Sequence, residues 1–142
     1  MKRYRNIVRG DVIYVTLDQH PKSSVQSGSR PCIVVSNNKN NYNATTYNVL
    51  PCTGKIKENP VHVKVLPKDV NGYFEKESDI LAEQIVTVDE RKITAKVGHI
   101  LENSEVMHSM NRALIKQLSL EVEIKAMVEQ MVREGIGYAK ES

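Results

Sequence analysis

From residue 99 to residue 134 the chain contains neither glycine nor proline, while all five prolines lie before that stretch. These residue types punctuate a backbone more strongly than any others, so the boundary near residue 99 separates a turn-rich part from a helical part. In the helical part apolar residues recur at Val106, Met110, Ala113, Leu114 and Leu118, then at Ile124, Met127, Val128 and Met131, close to a 3.6-residue period. Ser104 or Asn103 suits the N-cap, and Gly135 suits the residue that stops the last turn. One helix of this length would be unusual in a small domain, so a break is expected near residues 119–121. The second half would then need a surface of its own to cover.

The turn-rich part carries β patterning. Residues 12–17, VIYVTL, are rich in β-branched and aromatic side chains and are bounded by polar residues on both sides. Residues 31–36, PCIVVS, read as a second strand, with Pro31 at its first residue, where a missing N–H is tolerated. Between them residues 20–29 hold Ser23, Ser24, Ser27 and Ser29 around Gly28, the composition of a flexible loop. The asparagine-rich residues 37–41 are expected to turn. A third strand is expected over residues 45–52. Residues 61–65, VHVKV, alternate apolar and polar, as in a strand with one wet face carrying His62 and Lys64. Asn71-Gly72 is a strong turn signal. Residues 80–86 and 94–97 complete a set of short strands whose spacing suggests a small barrel. The expected class is α+β, mainly β, with a C-terminal helix.

Composition narrows the function. A length of 142 residues with 40% hydrophobic and 26% charged side chains suits one globular domain. No apolar run approaches the roughly 20 residues needed to cross a bilayer. The basic start, MKRYRN, is followed by no long apolar segment, so the expected location is the cytoplasm. Cys32 and Cys52 each sit in an apolar run and are expected as reduced core thiols. No histidine has the spacing of a zinc site, and neither a metal nor a cofactor is expected. The net charge of +3 permits a nucleic-acid partner without arguing for one. Aromatic residues make up only 5%, too few for a base-stacking platform, so Tyr14, Tyr42, Tyr47 and Tyr73 are expected in the core or at its edges.

The segments RGDVIYV, QSGSRPCIVVSNN, VLPCTGKIK, PVHVKV, SDILAEQIVTVDERKI and KVGHI occur in this order. As a set they resemble the MazF/PemK/Kid toxins of type II toxin–antitoxin systems, over roughly residues 8 to 120. The resemblance implies an SH3-like β-barrel with a C-terminal helix, a homodimer, and an RNA site across its interface. It also implies metal-free cleavage of single-stranded RNA at short preferred sequences, and silencing by a cognate antitoxin with a disordered acidic tail. Residues 1–120 are then the toxin domain and residues 121–142 a helical extension past the usual family end.

RNA carries its own nucleophile. The 2′-OH attacks the adjacent phosphorus in line and leaves a 2′,3′-cyclic phosphate and a free 5′-OH. The protein must assist proton transfer and stabilise charge growing on the phosphoryl oxygens. The resemblance assigns that work to Arg30, in G-x-R-P, whose planar fork suits two phosphate oxygens. Charge stabilisation fits arginine better than proton transfer, because its pKa lies above about 12. Thr53 matches the family's second catalytic position and would donate its hydroxyl to a phosphate oxygen. Gln26, Ser27 and Gly28 lie in the loop that closes over RNA in the family. Lys55 and Lys57 are candidates for phosphate contacts that raise affinity without reading sequence. Glu83 and Gln84, in LAEQI, are candidates for hydrogen bonds to bases, with a structural role competing evenly for Glu83. His20 lies in the same loop and is expected to be solvated.

Two rivals share the sequence. A gyrase poison resembling CcdB would use the same barrel to grip a protein. A non-catalytic relative would use its long C-terminal helix to recruit a partner.

Overall fold

Among the described residues, eight strands and three α-helices follow one another as β1 (Asp11–Leu17), β2 (Gly28–Val34), α1 (Asn38–Asn43), β3 (Thr46–Thr53), β4 (His62–Val65), β5 (Asn71–Gly72), β6 (Ser78–Leu81), β7 (Val86–Asp89), β8 (Ile93–His99), α2 (Glu105–Gln117) and α3 (Glu121–Arg133). The fold is that of a computed structural model, which describes residues 6–20 and 22–135. The basic first residues and the chain beyond Gly135 lie outside the described residues. The strands form one curled antiparallel sheet in the order β4-β6-β3-β2-β1-β8-β5, with β7 on the remaining length of β3.

The apolar runs of β1, β2 and β3 are continuous because both faces of these strands are covered. Successive side chains point to opposite faces, so Val12, Ile33 and Leu50 enter a core roofed by α2. Their neighbours Ile13, Cys32, Val34 and Val49 enter a second core with Tyr47, Val88 and Ile93. α2 starts where Ser104 accepts a hydrogen bond from the Met107 N–H at 3.2 Å, and it buries Val106, Met107, Met110 and Ala113. Arg9 pins this helix to the sheet: its Nε donates to the Val35 carbonyl at 2.9 Å and its Nη2 to Asn111 Oδ1 at 2.7 Å. The arginine of RGDV is thus a structural latch.

Several expectations change. β2 begins at Gly28, inside the anticipated loop, because Leu17 to Val15 of β1 supply ladder partners for Gly28 to Arg30. Pro31 sits mid-strand opposite Tyr14, but pairing with β3 starts only at Cys32. Its missing N–H therefore falls where the β3 edge is still open. The asparagine cluster is not a turn: Asn37 caps α1 by accepting from the Asn40 N–H at 2.8 Å. Asn71-Gly72 is not a hairpin turn but a strand pairing with His99 and Gly98 of β8. The run 80–86 breaks into β6 and β7 at a turn closed by the Gln84 N–H on the Leu81 carbonyl. Tyr47 is core as expected, whereas Tyr42 and Tyr73 are exposed at 70% and 57%. Both cysteines are free, buried thiols.

The expected helix break is present: Ser119 has φ 56°, a left-handed conformation that ends α2. α3 follows and Gly135, at φ 71°, ends it. Residues 121–130 are all exposed, so the apolar stripe of α3 covers nothing among the described residues. No helix among the described residues is long and apolar enough to cross a membrane.

Candidate active site

β2 carries Arg30 and β3 ends at Thr53, the two principal candidates. The β2–β3 ladder pairs Cys32 with Pro51 and ends there, with Arg30 two residues before that pair on β2 and Thr53 two residues after it on β3. Arg30 is anchored twice: its Nε donates to the Ser27 carbonyl at 3.1 Å, and its Nη1 donates to the Cys52 carbonyl at 3.1 Å. These bonds fix the plane of the guanidinium and leave its remaining N–H groups for a ligand. Thr53 ends β3, and its Oγ1 accepts the Lys55 N–H at 3.2 Å. That bond folds the following loop and leaves the hydroxyl proton available to donate.

Two cavities flank this strand end. One, of about 250 Å³, is lined by Arg30, Tyr14, Ser29, Cys52, Phe74 and Lys76. The other, of about 240 Å³, is lined by Gln26, Thr53, Lys55, Lys57, Glu83 and Gln84, together with Ser24 and His62. Six candidates from three separate segments thus surround one space. Ser27 enters through its carbonyl, beneath Arg30, and Gly28, at φ 77°, opens β2. His20 is exposed at the start of the loop and lines neither cavity. Gln84 spends its amide on the chain itself: its Oε1 accepts the Gln26 N–H at 2.8 Å, and its Nε2 donates to the Ser24 carbonyl at 3.2 Å.

Sequence reasoning missed the histidine here. The alternation of β4 places His62 on the wet face, but its side chain is only 9% exposed. Its Nε2 lies 2.8 Å from Glu83 Oε2 and its Nδ1 lies 3.4 Å from Asp79 Oδ2. The turn after β6 folds over the strand and covers it, a contact no periodicity encodes. Burial pulls the His62 pKa down, but the Glu83 hydrogen bond and charge, the Lys57 backbone and the Asp79 charge together raise it above its ordinary value. Asp79, itself 3% exposed, also accepts the Lys57 N–H at 3.0 Å and so shapes the loop that carries the two lysines. Charge on Glu83 is therefore met by an imidazole with an enhanced tendency to be cationic.

The thiols take no part as nucleophiles. Burial pushes Cys32 up to about 12 despite the nearby Arg30 charge. Burial also raises Cys52, so both stay protonated at neutral pH. What the arrangement offers instead is a fixed guanidinium at one cavity and a hydroxyl with two lysines at the other. That donor set can grip a phosphodiester and stabilise negative charge developing on it.

Residues 8–118 match the family described as PemK-like, MazF-like toxin of type II toxin–antitoxin system. The chain is 35% identical over 117 residues to the endoribonuclease EndoA of Bacillus subtilis (strain 168), covering 80% of this chain and 96% of that protein. Among solved structures, MazF from Deinococcus radiodurans superimposes with a TM-score of 0.65 at 19% identity, covering 80% of this chain and 96% of that one. A mycobacterial endoribonuclease solved with its cognate antitoxin superimposes with a TM-score of 0.64 at 23% identity, over the same shares of the two chains. These two likenesses establish the curled sheet with its C-terminal helix. The family match spans both candidate catalytic residues and stops short of α3. This chain belongs to the PemK-like, MazF-like toxins of type II toxin–antitoxin systems.

Proposed function

We propose that this protein is an endoribonuclease toxin that cleaves single-stranded RNA at preferred sequences without a metal. The reading rests above all on the doubly anchored guanidinium of Arg30, at the arginine of G-x-R-P. The 2′-oxygen forms a bond to phosphorus as the bond to the 5′-oxygen breaks. The 2′ proton is lost and the 5′-oxygen gains one, leaving a 2′,3′-cyclic phosphate and a 5′-OH. Arg30 holds the non-bridging oxygens and stabilises their growing charge, because a guanidinium fixed beforehand need not reorganise in the transition state. Thr53 adds one neutral donor. Lys55 and Lys57 hold flanking phosphates, and Gln26 with Ser27 closes the cleft over the strand. DNA, lacking the 2′-OH, is inert.

The active form is a cytoplasmic homodimer, and a cognate antitoxin silences it. The relationship to a mycobacterial endoribonuclease solved with its antitoxin supports the second point. The catalytic unit is residues 1–120, and residues 121–142 form an extension outside it, in keeping with a family match that ends at residue 118.

The test is incubation of the purified chain with long single-stranded RNA in EDTA. Fragments ending in cyclic phosphate are expected from the wild type, near-complete loss from Arg30→Ala with the fold retained, and a loss on the order of 10²-fold from Thr53→Ala. Equal cleavage by wild type and Arg30→Ala would remove the mechanism. Intact RNA alongside inhibited gyrase supercoiling would place the protein among the protein-binding poisons.

A further inference from the structure

We infer that Gln84 is a positioning residue, a latch that holds the catalytic loop in place, and that base reading is not its task. The inference rests on Arg30 being the catalytic group. The loop between Leu17 and Gly28 is polar and mostly exposed, and a segment of that kind has little apolar burial to hold it. Among the described residues, its hydrogen bonds to other segments are made by Gln84 and by Arg30. Gln84 receives the Gln26 N–H on Oε1 at 2.8 Å and gives its own N–H to the Ser24 carbonyl at 3.2 Å. A side-chain amide used this way replaces a neighbouring strand: it satisfies a donor and an acceptor two residues apart on one edge of the loop.

The mount beneath the latch is rigid. Ala82 donates its N–H to the Val61 carbonyl at 3.2 Å, and Glu83 is tied to buried His62 at 2.8 Å. Both bonds fix the turn to β4, so the Gln84 amide is held from below. On the other side, one residue beyond Gln26, the Ser27 carbonyl accepts Arg30 Nε at 3.1 Å. A continuous path of short bonds therefore runs from β4 through the turn and the loop to the guanidinium. Loosening the amide frees the carbonyl that sets the guanidinium plane.

The test compares wild type with Gln84→Ala and Gln84→Glu by amide hydrogen exchange, by cleavage kinetics on a short RNA, and by mapping cut sites on a mixed RNA pool. Alanine removes both bonds, and exchange of the loop amides, Gln26 above all, should quicken by about 10- to 50-fold, two ordinary neutral bonds' worth. Glutamate keeps an acceptor for Gln26 but no donor for Ser24, so its effect should be smaller. kcat should fall with exchange in the same order, with KM changing less, and the cut-site map should stay as in the wild type. A changed cut-site map with loop exchange unaltered would overturn the inference in favour of base contact. Unaltered exchange with unaltered kcat would overturn it as well. Because exchange is read without RNA, a wild type that cleaves nothing would refute the proposed function and leave the latch to be judged on exchange.

Discussion

Replacing Gly72 with alanine tests how closely β5 must approach β8, and Gly28→Ala supplies the matched control. Both glycines have positive φ, 118° at Gly72 and 77° at Gly28. They differ in surroundings. A Cβ at Gly72 would lie 2.4 Å from the Val97 carbonyl oxygen and 2.8 Å from Gly98 Cα, whereas at Gly28 it would meet nothing within 4 Å. Backbone strain from the dihedral alone costs about 1–3 kcal/mol at either site. Alanine returns about 0.4–1 kcal/mol by restricting the unfolded chain. At Gly28 the balance is a net loss of about 1 kcal/mol. At Gly72 the clash is with backbone on both counts, so no rotamer change relieves it and the β5–β8 pair must part. Adding the lost pairing gives about 3 kcal/mol or more, within the range of strongly destabilising single changes. For a chain of this size that is a fall in Tm of roughly 6–12 °C, against at most a few degrees for Gly28→Ala. Thermal unfolding followed by circular dichroism reads both values. RNA cleavage should show the opposite order, because Gly28 lies two residues before Arg30 and strain there is relieved by moving the loop. Equal Tm values for the two variants would refute the close-approach argument.

His62 and the cysteines yield two more expectations. The folded-state pKa of His62 lies above its ordinary 6.5, so its pairing with Glu83 and Asp79 is worth most below that value and is lost as pH rises through the folded pKa. Urea midpoints measured across mildly acidic to mildly alkaline pH should therefore decline for the wild type and stay flatter for His62→Asn; parallel profiles would count against the ion pair. Cys32, pushed up to about 12 by burial, and Cys52 should resist iodoacetamide at pH 8 until the chain is unfolded, as mass spectrometry would report. Rapid labelling of the native protein would contradict the burial.

The legibility of the fold varies with the range of the forces involved. Strands β1 to β3 and α2 are readable because their apolar periods, the Ser104 cap and the lack of glycine or proline over residues 99–134 are local signals. Misreadings fall where a distant partner decides. Gly28 to Arg30 look like loop until Leu17 to Val15 offer ladder bonds. Asn71-Gly72 looks like a hairpin until Val97 and Gly98 crowd it. ILAEQIV looks like one strand, yet only its two ends, Ile80 and Val86, pair with β3, on either side of a turn.

The site divides in the same way. The ordered motifs, from RGDV to KVGHI, determine the family and single out Arg30 and Thr53, because each is a residue identity at a fixed place in a pattern. Their mutual placement, the anchoring of Arg30 on the Ser27 and Cys52 carbonyls, and the closure of His62 between Glu83 and Asp79 belong to the tertiary structure. Hydrogen bonds and charge pairs reach only a few ångströms through space. Sequence separation, 21 residues between His62 and Glu83, says nothing about that distance until the sheet has folded.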